Sequence, residues 1–183
     1  MTTLQQKLDS QQFANDYQLV DGVAMHAANP QHFHIPPDVI KRHLRAGQFV
    51  ELRLDSSRFS MHDEDAEACS CPACDGEMRK PVLRHDHPMS LLRIETPDIP
   101  SRGWGEDFWV MITQREEDGF AGKIDNRLAE TRLHCLSLGD EIVFHTNHVL
   151  AVHDVHRAEL VAGMTQEDLK ELAQWLGQLR TDP

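Results

Sequence analysis

The sequence has few aromatic residues and no long apolar run. Phe, Trp and Tyr make up 6% of the chain, with a single Tyr. No apolar run approaches the ~20 residues that a membrane-spanning helix needs. Residues 1–22 are polar and lack the basic start and apolar core of a secretory signal. We therefore expect a cytoplasmic protein without a membrane span, whose thiols stay reduced.

The sequence is also short of basic residues. It has 18 Lys and Arg against 30 Asp and Glu, which gives a formal net charge of −12. This balance argues against a general affinity for nucleic-acid phosphates and for anionic membrane surfaces. The only local basic cluster is formed by Lys41, Arg42, Arg45 and Arg53. The negative charge instead favours a basic protein as the partner, for example if the chain is an inhibitor or immunity-type protein.

Common signatures of catalysis are missing as well. The chain has no G-x-S-x-G, no H-E-x-x-H, no phosphate-binding P-loop and no G-x-G-x-x-G. Because neither a nucleophile motif nor a nucleotide-binding loop is found, the sequence leans towards a protein without catalysis of its own.

The residues that are present form the pattern of a single β-rich domain. The 183 residues, 40% hydrophobic and 26% charged, are typical of one globular domain with decorations. Alternation predicts strands, and in the first of them Phe49 and Glu51 face away from the side that buries Val50. Asp118-Gly119 predicts a hairpin turn. The predicted strands cover residues 48–54, 89–95, 108–113, 120–125, 133–138 and 141–145, and a last short strand or 3₁₀ segment covers 149–152.

Helices are expected at both ends and ahead of the first strand. Residues 2–14 predict a short helix or a loose arm, and residues 38–46 predict two helical turns. A C-terminal helix over 165–179 begins with Thr165 as its N-cap and Asp168 completing a capping box. Its leucines form a stripe at helical spacing. We expect this stripe to dock on the body of the domain, and a partner-binding helix is the alternative.

The order of these elements predicts a mainly β, α+β fold. We expect a small antiparallel barrel or a strongly curved sheet with helical decorations. Residues 1–30 form an N-terminal arm or short helix in this scheme, residues 31–160 the β-barrel domain, and residues 161–183 the C-terminal helix. An insertion over residues 56–88 interrupts the barrel, because apolar periodicity is lost there.

The insertion carries a cluster of metal-ligand residues. Cys69-x-Cys71-x-x-Cys74 is followed by His85-x-His87, and the segment that starts at Cys71 has the look of a zinc knuckle. Tetrahedral zinc takes four such sulfur and nitrogen ligands. We predict one structural zinc ion, held by Cys69, Cys71, Cys74 and either His85 or His87. Chelation would order an acidic loop that has no core of its own.

Several alternatives stay open for this cluster. His62 or Cys135 could replace one ligand, and the loop could also lack metal. A zinc-dependent hydrolase could instead use His85, His87 and the histidines near 145–156 around a zinc ion with an open position.

The histidines near 145–156 also raise the question of a second metal. His145-x-x-His148 and His153-x-x-His156 are the candidate pairs. Solvated or core-edge histidines are the favoured interpretation, because no matching carboxylate pattern accompanies them.

Six short motifs follow one another from residue 33 onward: Phe33-His-Ile35-Pro36, Gly47-x-Phe-Val50-Glu-Leu52, Phe108-Trp109-Val110-x-Ile112, Gly122-x-Ile124-x-Asn126, Leu138-Gly139-Asp140-x-Ile142-x-Phe144 and His148-Val149. Their order and spacing resemble an uncharacterised bacterial family whose domain has no known function. The resemblance covers about residues 31–150, apart from the Cys/His insertion, which the family lacks. It implies a bacterial protein with a small SH3-like barrel, and it implies no reaction and no catalytic residue. Asn126-Arg127-Leu128 stands where the family has N-D-P, so no ligand of that loop is carried over.

The sequence as a whole predicts a non-catalytic cytoplasmic binding module. Its parts are an SH3-like antiparallel barrel with an inserted Cys/His loop, a C-terminal helix and one structural zinc ion, and its partner is a protein of basic charge. A zinc-dependent hydrolase is the first alternative, and a nucleic-acid-binding barrel is the second.

Overall fold

A computed structural model describes residues 3–14, 17–56, 105–129 and 131–179 of the chain. The helices in this part are α1 Leu4–Ser10, α2 Gly22–Ala28, α3 Asp38–Arg42, α4 Thr131–His134, α5 Arg157–Ala162 and α6 Gln166–Leu179. The strands are β1 Gln18–Leu19, β2 Phe49–Asp55, β3 Glu106–Glu116, β4 Gly119–Ile124, β5 Glu141–His145 and β6 Ala151–Val152.

The six strands make one antiparallel sheet that curls into a nearly closed barrel. Strands β2, β3, β4 and β5 follow one another as a meander. After β5 the chain makes the 3₁₀ turn Thr146–His148, and β6 then pairs back onto β2 through Val50↔Val152 and Glu51↔Ala151. A meander that returns through a 3₁₀ turn to its own first strand has SH3-like connectivity. The predicted small, mainly β, SH3-like barrel with a C-terminal helix is confirmed.

The core of the barrel follows from the alternation of apolar residues. Every second residue of β2 is buried, and the same period continues in β3. Phe120 and Phe144 stack at 5.2 Å between ring centroids inside the barrel. Each fully buried side chain of this size contributes about 1.5–3 kcal/mol to folding. The largest fully buried hydrophobic side chains are Phe108, Phe120, Phe144, Leu44, Leu52, Leu54, Ile112, Ile124 and Ile142.

The β3–β4 hairpin is confirmed, but its tip lies one residue earlier than expected. The strands end and restart at Glu116↔Gly119, so the connection consists of Glu117 and Asp118. Glu117 has a φ of 52° and takes the left-handed conformation. The glycine that suggested the turn is therefore the first residue of β4.

The strand predicted over residues 133–138 is wrong. Thr131–His134 is the short helix α4, and Cys135 ends it with a φ of 62°. His134 is buried and Leu136 half-buried, whereas Cys135 is exposed. Burial thus alternates from His134 to Ser137 without a ladder of strand hydrogen bonds, and the sequence alone does not distinguish this pattern from a strand.

The predicted N-terminal helix is confirmed, and the segment after it contributes more than an arm. α1 covers Leu4–Ser10, and Leu4 is 2% exposed against the sheet. Tyr17 joins the core of the barrel, and β1 pairs with the end of β2. The sequence pattern did not predict β1 or the seven-residue helix α2.

Helix α3 is shorter than the predicted span of 38–46. It ends at Arg42, and Arg115 of β3 caps the carbonyls at its end. Arg115 Nη1 donates to the carbonyl oxygen of Arg42 at 2.7 Å and to that of Leu44 at 2.8 Å. Gly47 has a φ of 89° and turns the chain into β2, so it is not the residue that ends the helix.

Helix α6 is confirmed, and its capping box forms as predicted. The amide of Asp168 donates to Thr165 Oγ1 at 3.2 Å, while Asp168 Oδ2 accepts from the Thr165 amide at 3.1 Å. The expectation that its leucine stripe docks on the body is wrong. No residue of α6 is buried, and Leu169, Leu176 and Leu179 are 38–47% exposed. The helix is held at its first turns, by ion pairs from Arg42.

Some predictions fall outside the described residues. These are the strand over 89–95 and the insertion over 56–88 beyond Ser56. The described chain stops at Ser56 and resumes at Gly105, beside the paired residues Leu54 and Glu106. Among the described helices, none has the length and apolar character needed to cross a membrane.

Candidate functional site on the outer face of the barrel

The predicted zinc ligands lie outside the described residues. This holds for Cys69, Cys71, Cys74, His85 and His87, and for the substitute ligand His62. The other substitute ligand, Cys135, is exposed on the loop after α4. Within the described part of the chain, no three His, Cys, Asp or Glu side chains stand close enough together to hold a metal ion.

His134 is a structural histidine. It is 1% exposed, and its Nε2 donates to Glu106 Oε2 at 3.1 Å. Its Nδ1 accepts from the Leu136 amide at 3.1 Å. Because a carboxylate and a backbone amide occupy both ring nitrogens, neither nitrogen is left for a substrate proton. Its role is to join the start of β3 to the loop after α4.

His145 and His148 cap the 3₁₀ turn between β5 and β6. The His145 amide donates to His148 Nδ1 at 3.1 Å, and the Asn147 amide donates to His145 Nδ1 at 3.3 Å. Burial lowers the pKa of His148 to about 4, with Asp21 opposing the shift. Both residues are half-buried, so the described contacts fit core-edge histidines that shape a turn.

His153 and His156 lie beside aromatic rings instead. His153 packs edge-on against Trp109, with 5.1 Å between ring centroids. His156 stacks on Phe49 at 5.5 Å and an interplanar angle of 21°. His153 Nδ1 accepts from the Val155 amide at 3.3 Å, and this bond fixes the ring orientation.

The basic cluster noted in the sequence does not form an open cationic surface. Lys41 is 3% exposed, and burial lowers the pKa of its ammonium group. Arg42 pairs with Asp168 and Glu171 on α6. Arg45 lies 3.8 Å from a carboxylate oxygen of Glu159, and Arg53 bonds Asp107. Because each of these side chains is buried or paired with an acid, they do not provide the stripe of free charge that a phosphate backbone needs.

A group of half-buried side chains does stand out on the outer face of β2, β3 and β6. We call it the outer-face patch and define it as Phe49, Glu51, Trp109, Met111, Ala151 and His153. Strand pairing places Glu51 opposite Trp109 on one side and opposite Ala151 on the other. Phe49 stands opposite Met111, one step along the same ladder.

The aromatic members of the patch contact one another directly. His153 lies 5.1 Å from the ring of Trp109 and 6.4 Å from the ring of Phe49, edge-on in both cases. The Trp109 amide donates to Asn126 Oδ1 at 2.6 Å, which ties the strand below the indole to the loop after β4. The patch therefore rests on hydrogen-bonded strands and presents aromatic rings that pack on one another.

Glu51 is the charged member of the patch. Burial raises the pKa of its carboxyl group, Asp107 adds to the shift, and Arg53 opposes it. The carboxylate is thus less well solvated than an ordinary surface glutamate. A half-buried acid among aromatic rings is unusual on the solvent side of a sheet, where polar residues free in water are the norm.

Sequence reasoning placed Phe49 and Glu51 on the outer face but did not assemble the patch. The available signal was the aromatic residue at an outward position, next to the outward acid. The contribution of β6 was not predictable, because Ala151 and His153 reach the patch through a long-range return of the chain.

An open cleft between α1 and the β3–β4 hairpin is a weaker candidate. It is lined by Thr3, Gln5, Glu116, Glu117, Asp118, Gly119 and His145. Glu116 Oε2 accepts from the Leu4 amide at 3.0 Å, and Glu116 Oε1 accepts from Gln114. Its central carboxylate therefore serves the docking of α1.

Comparison with known proteins adds no relative. No protein-family model, no curated protein and no solved structure matches the chain.

Proposed function

We propose that this protein is a non-catalytic binding module that recognises another protein through the outer-face patch. The observation that carries the proposal is the packed group of Trp109, Phe49 and His153, which shares the outer face with the half-buried Glu51. Aromatic side chains held on a folded scaffold are among the residues that contribute most to protein–protein binding energy.

The distribution of charge supports a basic partner. Residues 57–104 contain nine acidic and six basic side chains, a formal charge of −3, so −9 of the net −12 comes from the rest of the chain. Since the barrel, its helices and its termini carry most of the negative charge, long-range attraction would steer a basic protein towards the barrel.

The experiment that tests this proposal is an affinity capture with matched variants. Wild-type protein, Trp109→Ala and Val23→Ala are immobilised and exposed to a lysate of the source organism. Val23 is 41% exposed on α2 and controls for loss of an apolar surface residue. We expect a protein that binds wild type and Val23→Ala but not Trp109→Ala. Equal retention by all three variants, or retention of nothing, contradicts the proposal.

The chain is further proposed to be a cytoplasmic member of the bacterial family that its motifs resemble. Support comes from the position of the motif residues in the barrel. Phe108-Trp109-Val110 lies in β3, Gly122-x-Ile124 in β4 and Ile142-x-Phe144 in β5. Gly122 packs so closely against β3 that a methyl group there would lie 2.7 Å from the Met111 carbonyl oxygen. The motif glycine is thus explained by the close approach of two strands.

One structural zinc ion is proposed for the insertion, with Cys69, Cys71, Cys74 and either His85 or His87 as ligands. The cysteine spacing carries this part of the proposal. Zinc would stabilise the loop and supply no catalysis, because three thiolates complete most of its shell. The test is elemental analysis of wild type and Cys71→Ser, paired with melting curves. We expect one zinc per chain, lost in the variant together with a lower Tm. A ratio near two, or ligands that are mainly nitrogen, would instead favour a zinc-dependent hydrolase.

A further inference from the structure

The outer-face patch contains a carboxylate that no described residue pairs with directly, and only the more distant charge of Arg53 acts in its favour. Glu51 is half-buried between Trp109 of β3 and Ala151 of β6. Among the described residues, no hydrogen bond or ion pair reaches its carboxylate. Arg53, two residues along the same strand face, is bound by both carboxylate oxygens of Asp107 at 2.9 Å. The guanidinium that stands closest in sequence is therefore committed to another acid.

This arrangement costs the folded protein stability. Burial raises the pKa of Glu51, which means that the fold disfavours the charged form of the group. A positive charge brought by a ligand would remove that penalty, whereas a neutral or anionic ligand would not. The unfavourable environment therefore selects for a cation.

The neighbours of Glu51 on the outer face also suit a cation. The electron-rich faces of indole and phenyl rings attract ammonium and guanidinium groups. Trp109 stands directly opposite Glu51. The ring of His153 packs against the ring of Trp109, with 5.1 Å between their centroids. Ala151, on the other side of Glu51, carries only a methyl group.

The charges around the site do not change its sign. Lys123 is exposed opposite Met111, and Asp125 is exposed beside Trp109, whose carbonyl accepts from the Asp125 amide. Lys123 and Asp125 are opposite in charge, and so are Arg53 and Asp107, the two residues whose charges act on Glu51. Glu51 therefore sets the local preference, in agreement with the negative charge of the whole chain.

We propose that Glu51, Trp109 and His153 form a receptor site for one lysine or arginine side chain of the partner protein. The cationic group pairs with the Glu51 carboxylate, and the methylene stem of the side chain packs on the indole of Trp109. This inference rests on the proposed function and names the chemistry that the partner must present.

The site can be tested without knowledge of the partner. The probes are blocked lysine and blocked arginine, with blocked norleucine as a neutral probe that has the same stem as lysine. The signal is the NMR resonance of the Trp109 indole N–H, assigned by its loss in Trp109→Phe. The variants are wild type, Glu51→Gln and Glu117→Gln, the last of which removes an exposed acid of the β3–β4 hairpin.

We expect a saturable shift of the Trp109 signal with the cationic probes and none with norleucine. Glu51→Gln should bind them about tenfold more weakly, whereas Glu117→Gln should bind as wild type does. The proposal is overturned by an equal shift with norleucine, by equal affinities of wild type and Glu51→Gln, or by the lack of a saturable shift. If one of these overturning results is found but Trp109→Ala still fails to capture the partner, the patch binds a protein without a cationic side chain at Glu51. If capture is also unaffected, the proposed function fails as well.

Discussion

Glu51 and Trp109 are direct cross-strand partners on the outer face of the β2–β3 ladder, and the acid is half-buried beside the indole. An ion pair already forms one step along this ladder, between Arg53 and Asp107. Glu51 therefore keeps a destabilised charge where an apolar or amide side chain would suit the fold better. Groups that cost stability in this way are characteristic of binding sites.

The first prediction concerns the stability cost of Glu51. Its pKa is raised in the folded state above the ordinary value of 4.5, so folding becomes less favourable as the pH rises through that region. Glu51→Gln should therefore have a higher Tm than wild type at neutral pH, and this difference should shrink towards pH ~4. Thermal melts at both pH values measure it. Glu117→Gln should show no such change, and an equal or lower Tm for Glu51→Gln at neutral pH would refute the argument.

The second prediction concerns His148. Its pKa is lowered to about 4 in the folded state, against 6.5 ordinarily. The neutral ring contributes full stability above pH 6.5, and stability is lost as the pH falls from 6.5 towards 4. The loss amounts to about 3 kcal/mol at most. His148→Asn keeps an acceptor for the His145 amide but does not titrate, so its denaturation free energy should vary less over this range. A pH profile identical to that of wild type would show that another group dominates.

The third prediction concerns Arg115. Its Nη1 donates to the carbonyl oxygens of Arg42 and Leu44, and its guanidinium lies 5.2 Å from the centre of the Phe120 ring. Arg115→Ala should lower the free energy of unfolding by about 2–3 kcal/mol, because several charge-assisted contacts are lost together. The unfolding free energy of Arg115→Lys should lie between those of wild type and Arg115→Ala. Lysine keeps the positive charge but lacks the planar guanidinium with its several N–H donors. Urea denaturation measures the change, and Arg127→Ala, at an exposed position, serves as the control.

The fourth prediction concerns Asp168, which joins α6 to the barrel. Hydrogen bonds from the side chain and the amide of Thr165, and then from Arg42 and His43, hold its pKa below the ordinary 3.8. The stability that ionised Asp168 contributes is therefore fully present above pH 3.8, and it is lost as the pH falls below that value. Asp168→Ala should speed amide exchange in α6, since a helix of 14 residues without a buried side chain is marginal alone. Exchange in β3 should not change, and Glu167→Ala should leave α6 protected. Unaltered protection of α6 in Asp168→Ala would show that other contacts hold the helix.

The fifth prediction concerns Glu117 in the hairpin. A left-handed φ of 52° is strained for a residue with a Cβ atom. Glu117→Gly should raise the urea midpoint, with a gain of about 0.5–1 kcal/mol and an unchanged m-value. Asp118 does not share the positive φ, so Asp118→Gly should lower the midpoint. A lower urea midpoint for Glu117→Gly than for Asp118→Gly would contradict the left-handed conformation assigned to Glu117.

The sequence predicted those parts of the fold that depend on local patterns. Two examples are the alternation in β2 and β3 and the capping box at Thr165. Both depend only on residues that are close together in the sequence. The end of α4 and the loop after it show the limit, because His134 and Leu136 are less exposed than Cys135 between them although no strand pairs with this segment. Alternation reports which residues face the core, and it does not report whether hydrogen bonds form between strands.

The candidate site was predictable only in part for a related reason. Phe49 and Glu51 could be placed on the outer face, because they lie at alternate positions of one strand. Trp109, Ala151 and His153 join them through pairings between distant segments. The prediction that the leucine stripe of α6 docks on the body of the domain was wrong for a different reason. Helical spacing shows that one face of a helix is apolar, but it does not show which residues cover that face.

The measurement that tests the central claim most directly is amide hydrogen exchange of the protein with its captured partner bound. Binding at the outer-face patch predicts slower exchange in three segments that meet there: Phe49–Asp55, Glu106–Glu116 and Ala151–Val152. Exchange in α6 should stay as it is in the free protein. Slower exchange confined to α6, with the three strand segments unchanged, would place the partner on the exposed leucine stripe and contradict the account.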